Sequence, residues 1–459
     1  MKDFKLYLEK DTCSYEATGV FELENKLFLI ESNKEVVAAD LVITKSGYDL
    51  KNNPFYVMII WDKTNKSVTA KYGKFGYCHS LYYFIENNNL YIDLHLANLL
   101  NKVNFELQLS TPEVNEFVKY GFIRGYKTLL QNIYKVPSLK TMIFKNGGTE
   151  LIDSYYYDNH IVNMNYVSSL QKDLVSLDKI IIPLSGGYDS TLLAYLSKDC
   201  PDKYGITVGS SKDNTNEFST AKSTANILGL KHITVDSDYY WITKFAKIVK
   251  VLEGESYDPG TFLAYYLTET IKKNNLTGYT IISGDGADQV LNVNFYNQTM
   301  EDDMPISRHS ADFYKHYPLP ILYNIIIKKL EWLWRENDLK YCLPYLTNEF
   351  NSCAKNISTT NKQEYKEFVK NYLPKTISNN LAKRGGVISE KYFATSGIMT
   401  KLTKILELPK YQNLFENKSI AYQPLLYKIW VVLFEYIFIM KKDINKPFNT
   451  IINNILINN

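Results

Sequence analysis

The chain has 459 residues, 45% hydrophobic and 22% charged, which is about three times the usual single-domain size and calls for two domains or one large composite. Its 52 basic and 49 acidic side chains leave a net charge of +3, too even a balance for a dedicated nucleic-acid surface or a polybasic membrane patch. Five scattered cysteines (Cys13, Cys78, Cys200, Cys342, Cys353) form no Cys-x-x-Cys or Cys/His cluster, which excludes a disulfide framework and a zinc site.

The opening Met-Lys-Asp-Phe-Lys has no apolar run behind it, so no signal peptide is expected and the cytoplasm is the default address. The first 155 or so residues read as strands and hairpins. Segments 19–30, 36–44 and 55–61 are β-branched or aromatic and separated by Asn/Lys/Gly turns. Helical patches are expected near 97–101 and 112–120, the latter behind the natural N-cap residues Ser110 and Thr111. Residues 154–166 show no clean period and read as a linker, which divides the chain into domains 1–165 and 166–459.

From Lys179 the texture changes. The run 179–184, KIIIPL, is continuously apolar, as expected of a strand covered on both faces. Strands at 204–209, 232–236 and 279–283 alternate with helices at 217–228, 240–252 and 261–273. This alternation predicts a parallel sheet with crossover connections. Beyond residue 310 the pattern is mostly helical. The greasiest stretch, 425–440, carries Lys428 and Glu435 and is too short for a membrane span, so a buried helix is expected there. The Asn-rich end, 453–459, is expected to fray.

One turn carries chemistry. The first strand of the parallel sheet runs into Leu184-Ser185-Gly186-Gly187-Tyr188-Asp189-Ser190. Two glycines let backbone approach a ligand, and the following helix offers unpaired N–H groups and its positive dipole end. Ser185 and Ser190 add hydroxyl donors, and Asp189 suits a magnesium ion bridging phosphates. The lysine of a Walker A loop is missing. A second turn, Ser283-Gly284-Asp285-Gly286-Ala287-Asp288, follows another apolar strand. Both turns then lie at the sheet edge where open α/β folds bind ligands.

The motif Ser-Gly-Gly-Tyr-Asp-Ser resembles the pyrophosphate loop of the N-type ATP pyrophosphatases. Together with the second turn it resembles the asparagine synthetase and β-lactam synthetase branch. Gly205–Gly209 with Glu217, Ala221 and His232, Tyr257-Asp258-Pro259, Pro344-Tyr345-Leu346 and Leu373-Pro374 before Lys383-Arg384-Gly385-Gly386 extend the resemblance. Gly76-Tyr77, Leu81-Tyr82-Tyr83 and the segment 129–137 are similar to pieces of a glutaminase-like domain. The implied fold is α/β: a β-rich, degenerate Ntn-hydrolase (glutaminase-like) domain, then a parallel-sheet ATP-pyrophosphatase domain of the adenine nucleotide α-hydrolase type.

The implied chemistry is carboxylate activation by ATP, with AMP and pyrophosphate as products and an amine displacing AMP to form an amide. ATP and Mg2+ are the implied cofactors. The resemblance assigns Asp189 and Asp288 to the metal, and Ser185, Gly186, Gly187 and Ser190 to phosphate. It turns backbone of Leu184, Val208 and Gly284 toward adenosine, and places Tyr257 and Asp258 at the acceptor pocket. Lys383 would stabilise negative charge on the acyl-adenylate and tetrahedral intermediate. Asp285 would accept the amine's proton or position the amine.

Two departures narrow the reading. Glutamine-dependent members use an N-terminal cysteine, whereas residue 2 is Lys2 and Cys13 is internal; the first domain is expected to be a retained scaffold. After Asp288 the chain has Gln289-Val290-Leu291-Asn292 in place of the synthetases' Glu and Gly-Gly pair. The reading favoured is lactam closure in the style of lasso-peptide cyclases, with a precursor peptide and a companion protease as partners. The alternatives are an ammonia-dependent asparagine-type amidotransferase and a non-catalytic nucleotide-binding scaffold.

Overall fold

The computed structural model describes residues 5–9, 12–16, 19–23, 25–32, 41–44, 47–50, 54–154, 156, 165–209, 217–236, 239–254, 256–292, 294–295, 298, 304–306, 312–330, 333, 337–357, 362–381 and 397–457. The first part is built from β1 (Lys5–Glu9), β2 (Thr12–Glu16), β3 (Gly19–Leu23), β4 (Lys26–Ser32), β5 (Leu41–Thr44), β6 (Gly47–Leu50), β7 (Tyr56–Asp62), β8 (Ser67–Tyr72), β9 (Tyr82–Glu86), β10 (Asn89–Asp93), β11 (Tyr134–Lys135), β12 (Lys140–Lys145) and β13 (Gly148–Asp153). They form two antiparallel sheets, in the orders β11-β9-β10-β1-β2 and β13-β12-β8-β7-β4-β3, with β5 and β6 as a separate hairpin.

Local sequence sets the hairpins. Asn87 and Asn88 both take positive φ between β9 and β10, as do Asn146 and Gly147 between β12 and β13. These are the conformations of a type I′ turn, whose twist matches that of the flanking strands. The expected strand at 19–30 is two strands, broken where Asn25 turns at φ 62°. Residues 36–40 and the core of the expected linker, 157–164, lie outside the described residues.

The second part holds β14 (Lys179–Pro183), β15 (Asp202–Gly209), β16 (Lys231–Asp236), β17 (Thr280–Ile282) and β18 (Tyr341–Cys342), all parallel, in the order β16-β15-β14-β17-β18. The chain steps outward from β14 to β16 and then returns to the other side of β14. The switch point therefore falls between β14 and β17, where such sheets open a crevice at their C-terminal ends. Helices Glu217–Leu228 and Gly260–Lys273 stand close to their expected limits. The stretch expected as a helix at 240–252 is a 3-10 turn, Tyr239–Lys244, followed by the helix Phe245–Val251.

Packing does not follow the division in the sequence. One apolar core runs from Leu6, Leu27, Val57 and Ile92 of the antiparallel sheets into Ile180, Ile181 and Ile281 of the parallel sheet. A second joins Phe84 and Phe117 to Phe245, Tyr257 and Trp430. Trp430 lies on the buried helix Tyr422–Phe434, which continues as a π-helical turn over Glu435–Ile439. Among the described residues no helix is long and apolar enough to cross a membrane. The expected fraying at 453–459 is corrected as far as Ile457: the helix Phe448–Ile457 is pinned by buried Ile451, Ile452 and Ile455.

Candidate active site

Both chemical turns end on a helix, and in both an aspartate is the second helical residue after a glycine. Gly187 is the N-cap of Tyr188–Leu196, which carries Asp189 in its first turn. Gly286 caps the short helix Ala287–Val290, which carries Asp288. Carboxylates are favoured at the positive end of a helix. The turns meet closely, since a Cβ on Gly284 would lie 3.4 Å from Asp189 Cβ.

Two glycines are required by backbone geometry. Gly186 takes φ +72° with Thr220 so near that a Cβ would sit 2.6 Å from its methyl group, and Gly286 takes φ +90° against Leu346. Within the first turn the Ser185 and Ser190 hydroxyls are 3.1 Å apart, and the Ser185 and Gly187 amides donate to Ser190 and Ser185 respectively. Beneath it, Thr207 Oγ1 donates to the Leu184 carbonyl at 2.6 Å and lies 2.8 Å from His232 Nε2. Thr207 has spent its one proton, so His232 Nε2–H is the donor in the second bond. Burial holds His232 below its ordinary pKa, with Lys222 adding to the effect.

The two metal-candidate carboxylates converge on a residue that the sequence reading passed over. Lys362 Nζ is 2.7 Å from Asp189 Oδ2 and 2.7 Å from Asp288 Oδ1. Burial alone would lower the pKa of this ammonium, but Asp189 and then Asp288 outweigh it and raise it above the ordinary value. Tyr345 of the Pro-Tyr-Leu segment donates from its hydroxyl to the Asp189 carbonyl at 3.0 Å, and Tyr365 lies 2.7 Å from the same hydroxyl.

A cavity of about 280 Å³ opens beside the turns. Of the candidate residues, Leu184, Ser185, Asp189, Ser190, Val208, Gly284 and Asp285 line it. Leu263, Ala264, Leu267, Leu330 and Leu333 supply apolar wall, and Lys329 is a second basic residue that sequence reading missed. Lys329 Nζ is ion-paired with Asp285, whose Oδ2 also accepts from Ser283 Oγ at 2.6 Å. Burial would lower the Lys329 pKa; Asp285 first, then Asp258 and Asp288, overcome it and raise it. Neither lysine stands out in a Lys-rich sequence, because each is placed by tertiary packing.

Two further candidates, Tyr257 and Asp258, do not line the cavity. Tyr257 is 1% exposed, packed in the aromatic core against Phe245, Tyr427 and Trp430. Asp258 accepts from the Gly260 amide at the start of Gly260–Lys273 and from the Tyr314 hydroxyl at 2.7 Å. Lys383 and Arg384 lie outside the described residues.

The donor chemistry fits a magnesium ion. Among the described residues no cluster of three or more His, Cys, Asp or Glu side chains is placed to hold a metal. Two carboxylates that share one point are nonetheless what magnesium asks of protein when phosphates and water complete its shell. Asp189, Asp258, Asp285 and Asp288 face two lysines, Lys329 and Lys362. Among the described residues these are four carboxylates against two ammonium groups, an imbalance that a divalent cation would offset.

Residues 167–363 match the asparagine synthase family, and residues 20–157 match the glutamine amidotransferase domain family. No curated protein matches the chain significantly. Among solved structures, the ammonia-dependent NAD synthetase of Campylobacter jejuni subsp. jejuni NCTC 11168 is 16% identical, over 36% of this chain and 74% of that one, with a TM-score of 0.21. The NMN synthetase of Francisella tularensis is 15% identical over 48% and 98%, with a TM-score of 0.23. The U34-tRNA thiolase NcsA of Methanococcus maripaludis is 13% identical over 59% and 79%, with a TM-score of 0.25. Likenesses this slight carry no functional argument. The two domain matches do, in agreement with the antiparallel and parallel sheets that they cover: the chain carries an asparagine synthase-type domain, that of an ATP-dependent carbon–nitrogen ligase, preceded by a glutamine amidotransferase-type domain.

Proposed function

We propose that this ligase adenylates a carboxylate borne on a peptide and that an amine of the same peptide displaces AMP, closing a lactam ring as lasso-peptide cyclases do. The observation that carries the reading is the cavity wall. Among its described lining residues Lys329 is the one cation, and it is already paired with Asp285. Free aspartate would bring an α-carboxylate that needs a charged partner when desolvated. Peptide amides make no such demand, and the Leu263, Leu267, Leu330 and Leu333 wall suits apolar side chains.

A carboxylate is a poor acyl donor because oxide would have to leave. Transfer to the α-phosphorus of ATP, with loss of pyrophosphate, supplies a good leaving group. Ser185, Gly186, Gly187 and Ser190 would hold the phosphates, while Leu184, Val208 and Gly284 would face adenosine. Asp189 and Asp288 would hold magnesium, which offsets charge building on pyrophosphate. Asp285 would take the proton of the attacking amine. Lys383, by resemblance, would face the oxyanion. We place the division between the two domains at residue 165.

The test uses the purified full chain with ATP, Mg2+ and synthetic peptides, each with a free N-terminal amine and one internal Asp or Glu. Ring closure is read by mass spectrometry as loss of one water, coupled to AMP release. The match of residues 20–157 to the glutamine amidotransferase domain favours a second reading, amide formation on aspartate from ammonia. Asparagine formed from aspartate and ammonium chloride, with no cyclised peptide, would replace the first reading with the second.

A further inference from the structure

Residues 318–329 form one helix interrupted by a π-helical turn at Leu322–Ile326. Such an insertion rotates everything after it, and π turns recur at functional sites. Here it precedes two adjacent lysines that leave the helix in different directions. Lys328 Nζ donates to Ser80 Oγ at 2.6 Å, and Tyr323 donates to the Lys74 carbonyl at 2.6 Å, so one face is fastened to the amidotransferase-type domain. Lys329 instead reaches Asp285 at the cavity, with its side chain 17% exposed.

We infer that Lys329 is a positioning residue for the amine-transfer half-reaction, holding the Asp285 carboxylate turned toward the attacking amine. The inference rests on the proposed role of Asp285 as proton acceptor. Asp285 stands in a site with three further carboxylates, Asp189, Asp258 and Asp288. Like charges repel one another, so an Asp285 carboxylate without a cation against it would swing away from the site. Lys329 against one carboxylate oxygen of Asp285 opposes that movement, while Ser283 fixes the other. In the step itself, the amine nitrogen forms a bond to the acyl carbon and the carbon–oxygen bond to AMP breaks. The electron pair leaves on the phosphate oxygen, and the amine proton passes to Asp285.

Hydroxylamine separates this role from a structural one, because it is largely unprotonated at neutral pH and attacks acyl-adenylates without a base. With the peptide set above, Lys329→Met is expected to form hydroxamate within a few-fold of wild type while ring closure falls about 100-fold. Lys329→Arg is expected to recover most of the ring closure. Equal loss of both products, or a Lys329→Arg variant no better than Lys329→Met, overturns the inference. If the wild type closes no peptide but converts aspartate and ammonia, the ring-closure reading fails on its own. The same comparison is then made with aspartate, ammonia against hydroxylamine, and is judged by the same outcomes.

Discussion

The ammonium of Lys362 stands 2.7 Å from the carboxylate of Asp189, bridging from the far C-terminal region into the first turn of the phosphate-loop helix. Its second contact, to Asp288, makes one lysine the link between the two turns. Two carboxylates this close repel each other unless a cation lies between them. Lys362→Met should therefore destabilise the magnesium-free protein by about 1–3 kcal/mol. That lies below the 3–5 kcal/mol of a fully buried broken pair, since Asp288 is 45% exposed. Added Mg2+ should raise the melting temperature of the variant more than that of wild type. Equal shifts in both would mean that the metal does not bind between Asp189 and Asp288.

Asp189→Asn should reduce ATP-dependent pyrophosphate release at least about 100-fold while the fold survives, because a neutral amide is a poor magnesium ligand. Circular dichroism checks the fold and a coupled pyrophosphate assay the activity. Near wild-type release would remove Asp189 from the metal site.

Gly186→Ala probes the phosphate turn without touching its chemistry. At φ +72°, with Thr220 2.6 Å from the added carbon, the methyl group meets both backbone strain and a clash. A loss of about 1–3 kcal/mol is expected in denaturant unfolding, together with a raised KM for ATP. Gly186→Ala/Thr220→Ser relieves the contact but not the strain, so it should recover part of the loss. Full recovery would show that φ is not the constraint.

The turns were legible because their signals are local. Continuous apolar runs such as 179–184 mark covered strands, and Gly-Gly before Asp189 marks a ligand-approach turn. The parallel order followed from strand–helix alternation. What was hidden depends on distant chain. Lys362 and Lys329 acquire meaning only when the chain from residue 318 onward folds back over the sheet edge. Tyr257 sits beside the cavity's Gly260 in sequence, yet its ring turns into the aromatic core with Trp430. The continuous core joining Leu6 to Ile180 was equally invisible, since composition marks a linker but not which faces meet across it.

His232 gives a pH dependence of known sign. Its pKa is held below the ordinary value by burial, so the native state prefers the neutral ring. A base with a depressed folded pKa contributes stability that is complete above its unfolded pKa, about 6.5, and is lost as pH falls below it. Melting temperatures between pH 7.5 and 5 should therefore fall less steeply in His232→Gln than in wild type. Parallel curves would show that His232 does not titrate in this range.

The Tyr345 hydroxyl, beside the phosphate turn, has a defined use. It donates to the Asp189 carbonyl, so the Tyr365 hydroxyl, 2.7 Å away, must be the donor in their shared bond. Both rings are buried, Tyr345 at 0% and Tyr365 at 1% exposure, and burial raises both phenol pKa values well above the ordinary value. The hydroxyls thus stay protonated at any working pH. In Tyr345→Phe the Asp189 carbonyl loses one donor, and Tyr365 loses its acceptor. An unsatisfied buried group costs about 1–3 kcal/mol, so Tyr345→Phe should lose about that much stability. Tyr365→Phe leaves the Tyr345–Asp189 bond in place and should cost about 1 kcal/mol. In the double variant the orphaned Tyr365 hydroxyl is gone, so the two costs should not add. Denaturant unfolding of all four proteins closes the cycle, and a coupling energy above about 0.5 kcal/mol is expected for groups in one network. Additive losses would mean that the two hydroxyls act independently and that the chain from Tyr365 to Asp189 is not a unit.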